Sequence, residues 1–151
     1  MTDPALKAQI QEESNAALKA GDRVRLGALR MLTSAIRYRE VELGHDLSDD
    51  EVREVAAREV KKRNEAAEAF RDAGRSELAE QEEAEREAIA PYAPEQLSDA
   101  EVDAMIDEAV ATTGASSMQE MGKVMGMVMG TAKGRVDGAA VQEKVKARLG
   151  G

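Results

Sequence analysis

Cysteine and tryptophan are absent from the 151 residues, histidine occurs once, and only two Tyr and one Phe supply aromatic rings. Without cysteine there is no disulfide framework, thiolate zinc site, iron–sulfur cluster or cysteine nucleophile. A single histidine leaves histidine-rich metal sites and most histidine relays without their parts. No apolar run reaches membrane-spanning length, and the Met1-Thr2-Asp3-Pro4 start has neither the charged nor the apolar region of a secretory signal. The expectation is a soluble, cytoplasmic protein without a membrane partner.

What is present is charge and helix-forming side chains. Thirty acidic residues stand against 21 basic ones, a formal net charge of -9, and 42% of the chain is hydrophobic. Ala, Glu, Arg, Leu and Met dominate while strand formers are scarce, so the chain reads as all-α. Caps and periodicity divide it into seven helices. The first begins after Thr2 with Pro4 in its first turn and ends at Gly21; the second runs from Asp22 to Gly44. The third opens on a Ser48/Glu51 capping box and ends near Gly74; the fourth runs from Ser76 to Ala90. Pro91-Tyr92-Ala93-Pro94 cannot continue a helix, and this break divides an N-terminal four-helix bundle, residues 1–93, from a smaller three-helix part, residues 94–151. Beyond it, Ser98/Glu101 and Ser117/Glu120 have capping-box spacing. A glycine-punctuated loop, Gly130 to Gly138, precedes a last helix with Val141, Val145 and Leu149.

Polar residues interrupt the packing faces. The second helix is apolar on two sides, Leu29, Leu32, Ile36 and Leu43 on one and Val24, Met31 and Tyr38 on the other, which predicts a central element of the bundle. A basic stripe of Lys19, Arg23, Arg30 and Arg37 runs between them. Glu59 and Arg63 fall in the apolar stripe of the third helix, and Glu82 and Glu85 in that of the fourth. Such carboxylates could hold a metal or act as an acid/base pair, but carboxylate-bridged bundles add Glu-x-x-His ligands that this chain lacks. The preferred reading is a partly buried ionic network joining Glu82 and Glu85 to Arg30 or Arg63, with no metal and no cofactor. His45 reads as a helix-terminal histidine, and Ser48, Ser76, Ser98 and Ser117 as helix caps, so no catalytic residue is assigned.

The segment from Met118 to Gly130 is the most distinctive. Met118, Met121, Met125 and Met129 form one stripe, and Gly122, Gly126 and Gly130 a second beside it. Three helical glycines at about 1 kcal/mol each need a reason, either close packing of a neighbouring backbone or close approach of a ligand beside Lys123. The loop Lys133-Gly134-Arg135-Val136-Asp137-Gly138 combines glycines, two cations and a cap before a helix N-terminus, the components of phosphate binding. It lacks the Gly-Lys-Ser/Thr ending of a nucleotide P-loop, so phosphates of a polymer are the better match.

These motifs in order, Leu29-Arg30-Met31-Leu32, Arg75 with Leu78, Glu82-Glu83-Ala84-Glu85, Pro91-Tyr92-Ala93-Pro94, Met121-Gly122-Lys123-Val124-Met125 and Gly134-Arg135-Val136-Asp137-Gly138, resemble the YqeY family. The family's Tyr-Leu-Pro reads Tyr92-Ala93-Pro94 here. That family is similar to the C-terminal tail of GatB, a subunit of the tRNA-dependent amidotransferase. The resemblance implies an all-helical fold, a larger N-terminal bundle and tRNA contact through Lys123, Lys133 and Arg135; the loop glycines Gly134 and Gly138 join them as contact candidates, with Gly122 and Gly126 as close-approach positions. The carbon–nitrogen ligase label with glutamine as amido donor would come by association with the full enzyme, since no nucleophile loop or ATP cradle is present here.

Two binding roles follow as expectations: an accessory module that contacts tRNA, aided by a partner protein, or a protein–protein adaptor docking helices through its Met/Gly-rich C-terminal surface. A stand-alone ligase ranks last. The acid excess opposes DNA binding. Residues 91–151 carry six basic and nine acidic side chains, a local balance of -3.

Overall fold

The computed structural model describes residues 5–132 and 134–150, and among them every regular element is helical. The chain divides into two compact units, Met1–Pro94 and Glu95–Gly151.

The first unit holds α1 (Leu6–Ala20), α2 (Arg23–Leu43), α3 (Asp49–Asp72) and α4 (Ser76–Ile89), closed by a 3-10 turn, Ala90–Tyr92. Local chemistry sets these boundaries. Gly21 and Gly44 adopt left-handed geometry (φ 71° and 73°) that ends α1 and α2. Asp22 caps α2 by accepting from the Arg25 amide at 3.1 Å. Ser48 and Glu51 close a reciprocal capping box on α3. Ser76 is the first residue of α4 and not its cap; Arg75 takes the cap position without a side-chain hydrogen bond. The start of α1 expected at Thr2 and Pro4 lies outside the described residues.

Ile10, Leu29, Leu32, Val52 and Ile89 are fully buried at the centre of this unit, with Ala28 and Ala56 allowing close helix approach and Tyr92 sealing the end. Each buried aliphatic of this size contributes about 1.5–3 kcal/mol. Pro91 and Pro94 stop α4, and the Tyr92 and Ala93 between them pack onto this core. One expectation fails here. Only one apolar side of α2 is covered; Val24, Met31 and Tyr38 are exposed, so α2 is not sandwiched on both sides.

The second unit holds α5 (Asp99–Thr113), α6 (Met121–Ala132) and α7 (Gly138–Gly150). Val102, Ile106, Val124, Val128, Val141 and Val145 form its core, a set without aromatic rings. α6 therefore faces inward through Val124, Val128 and Ala132, spaced four apart; Met121, Met125 and Met129 flank that line half-buried, and Met118 is exposed. Lys144 and Arg148 of α7 pair with Asp103 and Asp107 of α5 at 2.8 and 3.2 Å, aligning the two helices at their surface.

Two identical-looking cap signals have different outcomes. Ser98 and Glu101 form a full capping box on α5. Ser117 and Glu120 do not: residues Met118–Glu120 form a 3-10 turn, Ser117 makes no side-chain cap, and Glu120 accepts from the Ser116 amide at 2.6 Å instead. Ser98→Ala is accordingly expected to cost about 1 kcal/mol in chemical denaturation followed by far-ultraviolet circular dichroism, while Ser117→Ala leaves the midpoint within error.

Candidate functional site

In the first unit the buried charged side chains meet at Arg63, only 4% exposed. Its Nη1 donates to the Glu59 carbonyl at 3.1 Å and lies 3.5 Å from Glu59 Oε1. Its Nη2 contacts the Met31 sulfur at 3.5 Å, and its Nε faces Glu85 Oε2 at 3.6 Å, an ion-pair distance that satisfies no hydrogen bond. Lys62 braces the far side of Glu59 at 3.2 Å. Three helices thus meet at one guanidinium: Met31 from α2, Glu59 and Arg63 from α3, Glu85 from α4. Arg30 is exposed and has no ion-pair partner among the described residues, so the arginine facing Glu85 is Arg63 alone.

Glu82 stands at the edge of this cluster. Burial raises its carboxyl above the ordinary range, the Glu85 charge adds to the rise, and Arg63 offsets part of it. Among the described residues, no group of three or more acidic or histidine side chains is placed to hold a metal ion. His45 contacts both Glu51 carboxylate oxygens, at 2.9 and 3.1 Å, within the exposed cap of α3. The Ser48 amide and that pairing hold the Glu51 carboxyl below its usual value, so His45 reinforces a helix start.

In the second unit the glycine-rich loop is tied to the entry of α5. The Arg135 Nε donates to the Glu95 carbonyl at 3.1 Å, the Leu97 amide to the Arg135 carbonyl at 2.8 Å, and Gln96 Nε2 to the Gly134 carbonyl at 2.9 Å. Gly134 carries the left-handed φ of 73° that this tight turn demands. Arg135 and Gly134 are therefore spent, at least in part, on closing the unit. Lys133 lies outside the described residues. Gly138 opens α7, where a Cβ would touch the Met129 methyl at 3.5 Å, an ordinary contact. Asp137 accepts from the Ala139 amide at 3.3 Å, an N-terminal cap in the position its sequence context suggests.

The glycines of α6 are arranged differently from a packing motif. A Cβ built on Gly122, Gly126 or Gly130 would meet nothing within 4 Å, and all three are exposed, on the side of α6 opposite Val124 and Val128. Among the described residues, nothing packs into the space of their missing side chains. Lys123 and Met127 flank this line, both exposed. The structure thus separates residues that sequence placed together: Lys123, Gly122 and Gly126 share an open face of α6, whereas Gly134 and Arg135 belong to the tie with Glu95–Leu97. What sequence reading missed is this tie. Its acceptors are all backbone carbonyls, about forty residues from their donors, and carbonyls leave no mark in the side-chain pattern.

A protein-family model described as Yqey-like protein matches residues 7–149. No curated protein matches the chain.

The raised Glu82 carboxyl has a pH consequence. A group whose folded value exceeds its unfolded one favours the protonated folded state, so its cost to stability appears as pH rises through the interval between the two values. Glu82→Gln should therefore raise the melting temperature at neutral pH and lose that advantage below the ordinary carboxylate range. An equal gain at both pH values would refute the assignment.

Proposed function

The chain belongs to the Yqey-like protein family, and from that membership and the surface of α6 we propose that it is an accessory module that contacts tRNA through its C-terminal unit. The observation that carries this reading is the uncovered glycine line, Gly122, Gly126 and Gly130, beside exposed Lys123. Glycine in a helix interior costs about 1 kcal/mol relative to alanine, and among the described residues no neighbouring helix recovers that cost by approaching. A ligand backbone can lie along such a line closer than any side chain would permit. A phosphate there meets one exposed ammonium and faces no acidic side chain of α6 itself, whose sequence holds Lys123 as its single charge. The family's resemblance to the tRNA-associated tail of GatB supports the same assignment.

The arrangement also limits the affinity. Lys144 and Arg148 face Asp103 and Asp107, and Arg135 is anchored to Glu95. With one or two phosphates neutralised, binding should weaken only about three- to twelvefold between 50 and 200 mM salt, and a partner protein supplies the rest. The reaction associated with the amidotransferase belongs, in this reading, to other subunits.

A second reading, an adaptor that docks a partner helix, is favoured by exposed Met127 beside the glycine line. The test is a fluorescence titration with total tRNA at the two salt concentrations. Lys123→Glu and Gly126→Leu should each weaken binding at least tenfold. Gly126→Leu should meanwhile keep or raise the melting temperature, because leucine is the better helix former and has open space. Unaltered binding in both variants, or none at low salt, overturns the tRNA reading. Salt-insensitive capture of a discrete protein, lost in Gly126→Leu, establishes the adaptor.

A further inference from the structure

α2 turns a second, uncovered face outward. Its sequence there repeats every seven residues: Val24, Met31 and Tyr38 in one register, and Gly27, Ser34 and Val41 three positions later. All six are exposed, Tyr38 at 70% and Val41 at 83%. This is the spacing of a coiled-coil seam, carried through almost three heptads on the side of α2 opposite buried Leu29, Leu32 and Ile36. The position before each member of the first register is an arginine: Arg23, Arg30 and Arg37. These flank the seam at about 10 Å intervals along the helix. All three are exposed, and none has an ion-pair partner among the described residues, whereas Arg25 and Arg39 of the same helix pair with Glu13 and Glu42.

We propose that this face of α2 docks an amphipathic helix of another protein that carries acidic residues along the edges of its apolar stripe. Charge selects this occupant. Of the five arginines of α2, Arg23, Arg30 and Arg37 run along this face, a local cationic strip in a chain of net charge -9. A second copy of the chain fits poorly. Antiparallel pairing of two α2 seams sets the arginine row against itself, and parallel pairing sets Arg23 and Arg30 opposite Ala28 and Ala35, leaving Arg37 with Glu42 as the single complementary pair on each edge. A nucleic acid would satisfy the arginines and could stack on Tyr38, but it leaves Val24, Met31 and Val41 without apolar cover. A helix with aliphatic seam residues and flanking carboxylates satisfies both. Gly27 and Ser34 shape the middle of the seam: a Cβ on Gly27 would meet nothing within 4 Å, which leaves two shallow places for larger side chains of the partner. The seam also touches the interior, because the Met31 sulfur is held by Arg63 Nη2.

The probe is a three-heptad synthetic peptide with Ile and Leu in its seam and Glu at both flanking positions, titrated with the full chain and followed by fluorescence anisotropy. The wild-type chain should bind it. Arg23→Glu/Arg30→Glu/Arg37→Glu should lower the affinity about tenfold or more, since three partly exposed ion pairs sum to that factor. A companion peptide with Lys in place of Glu should reverse the order, binding the triple variant better than the wild type. Ser34→Lys, which changes no flanking charge, should abolish binding of the acidic peptide, with the melting temperature reporting that each variant is folded. Any one of four results overturns the proposal. The acidic peptide fails to bind, or binds the triple variant equally well. Sedimentation shows a dimer of the chain that Ser34→Lys dissociates. An RNA oligonucleotide, and not the peptide, binds the wild type and is lost in the triple variant.

Discussion

Burying a guanidinium is costly unless carboxylates and carbonyls meet it, and in the first unit that requirement falls on Arg63. Glu59 lies one turn before it on α3, and Glu85 reaches it from α4. Because the partners sit on different helices, α3 and α4 can satisfy Arg63 in one register and not in neighbouring ones. Once α4 is fixed, its last buried residue, Ile89, and the Tyr92 beyond it arrive in the core. The Met31 sulfur brings α2 to the same charge. An apolar trio of the same volume could be as stable, whereas removing one partner of the cluster leaves a buried charge uncompensated.

Features written in backbone chemistry are legible in the amino-acid order alone. Gly44 ending α2, Ser48 with Glu51 opening α3, Ser98 with Glu101 opening α5, and the break at Pro91 and Pro94 are all decided within a few residues. The two compact units divide after Pro94. What failed depended on distant partners. Both apolar sides of α2 look alike on a helical wheel, and only packing reveals that the Val24 side is left open. Arg30 and Arg63 are equally plausible partners for Glu85 until α2 and α3 are placed in space. Ser117 and Glu120 have the spacing of a capping box, yet a 3-10 turn takes that segment and sends Glu120 to the Ser116 amide.

The second unit shows how a motif can be divided by structure. Glycine and cation occur together in residues 122–126 and again in 134–135, which invites a single binding role for both. The turn at Gly134 serves closure: the Leu97 amide donates to the Arg135 carbonyl and the Arg135 side chain to the Glu95 carbonyl, fastening the α6–α7 connection to the start of α5. The α6 glycines serve no such purpose and lie open. Valine, not methionine, fills the interior of this unit, since the stiff branched side chains of Val124 and Val128 meet those of Val141 and Val145 with little rotamer freedom to lose. Methionine is left to the margins, where adaptability matters more than fit.

The distribution of aromatic rings has an optical consequence. Phe70, Tyr38 and Tyr92 all lie in the first unit, and only Tyr92 is buried, while residues 95–151 contain no aromatic side chain. Near-ultraviolet dichroism and tyrosine emission therefore report the N-terminal bundle alone, chiefly through the surroundings of Tyr92. The C-terminal unit is dark at those wavelengths and visible only through its helices. A single tryptophan placed there would make the two halves separately observable, one by each chromophore.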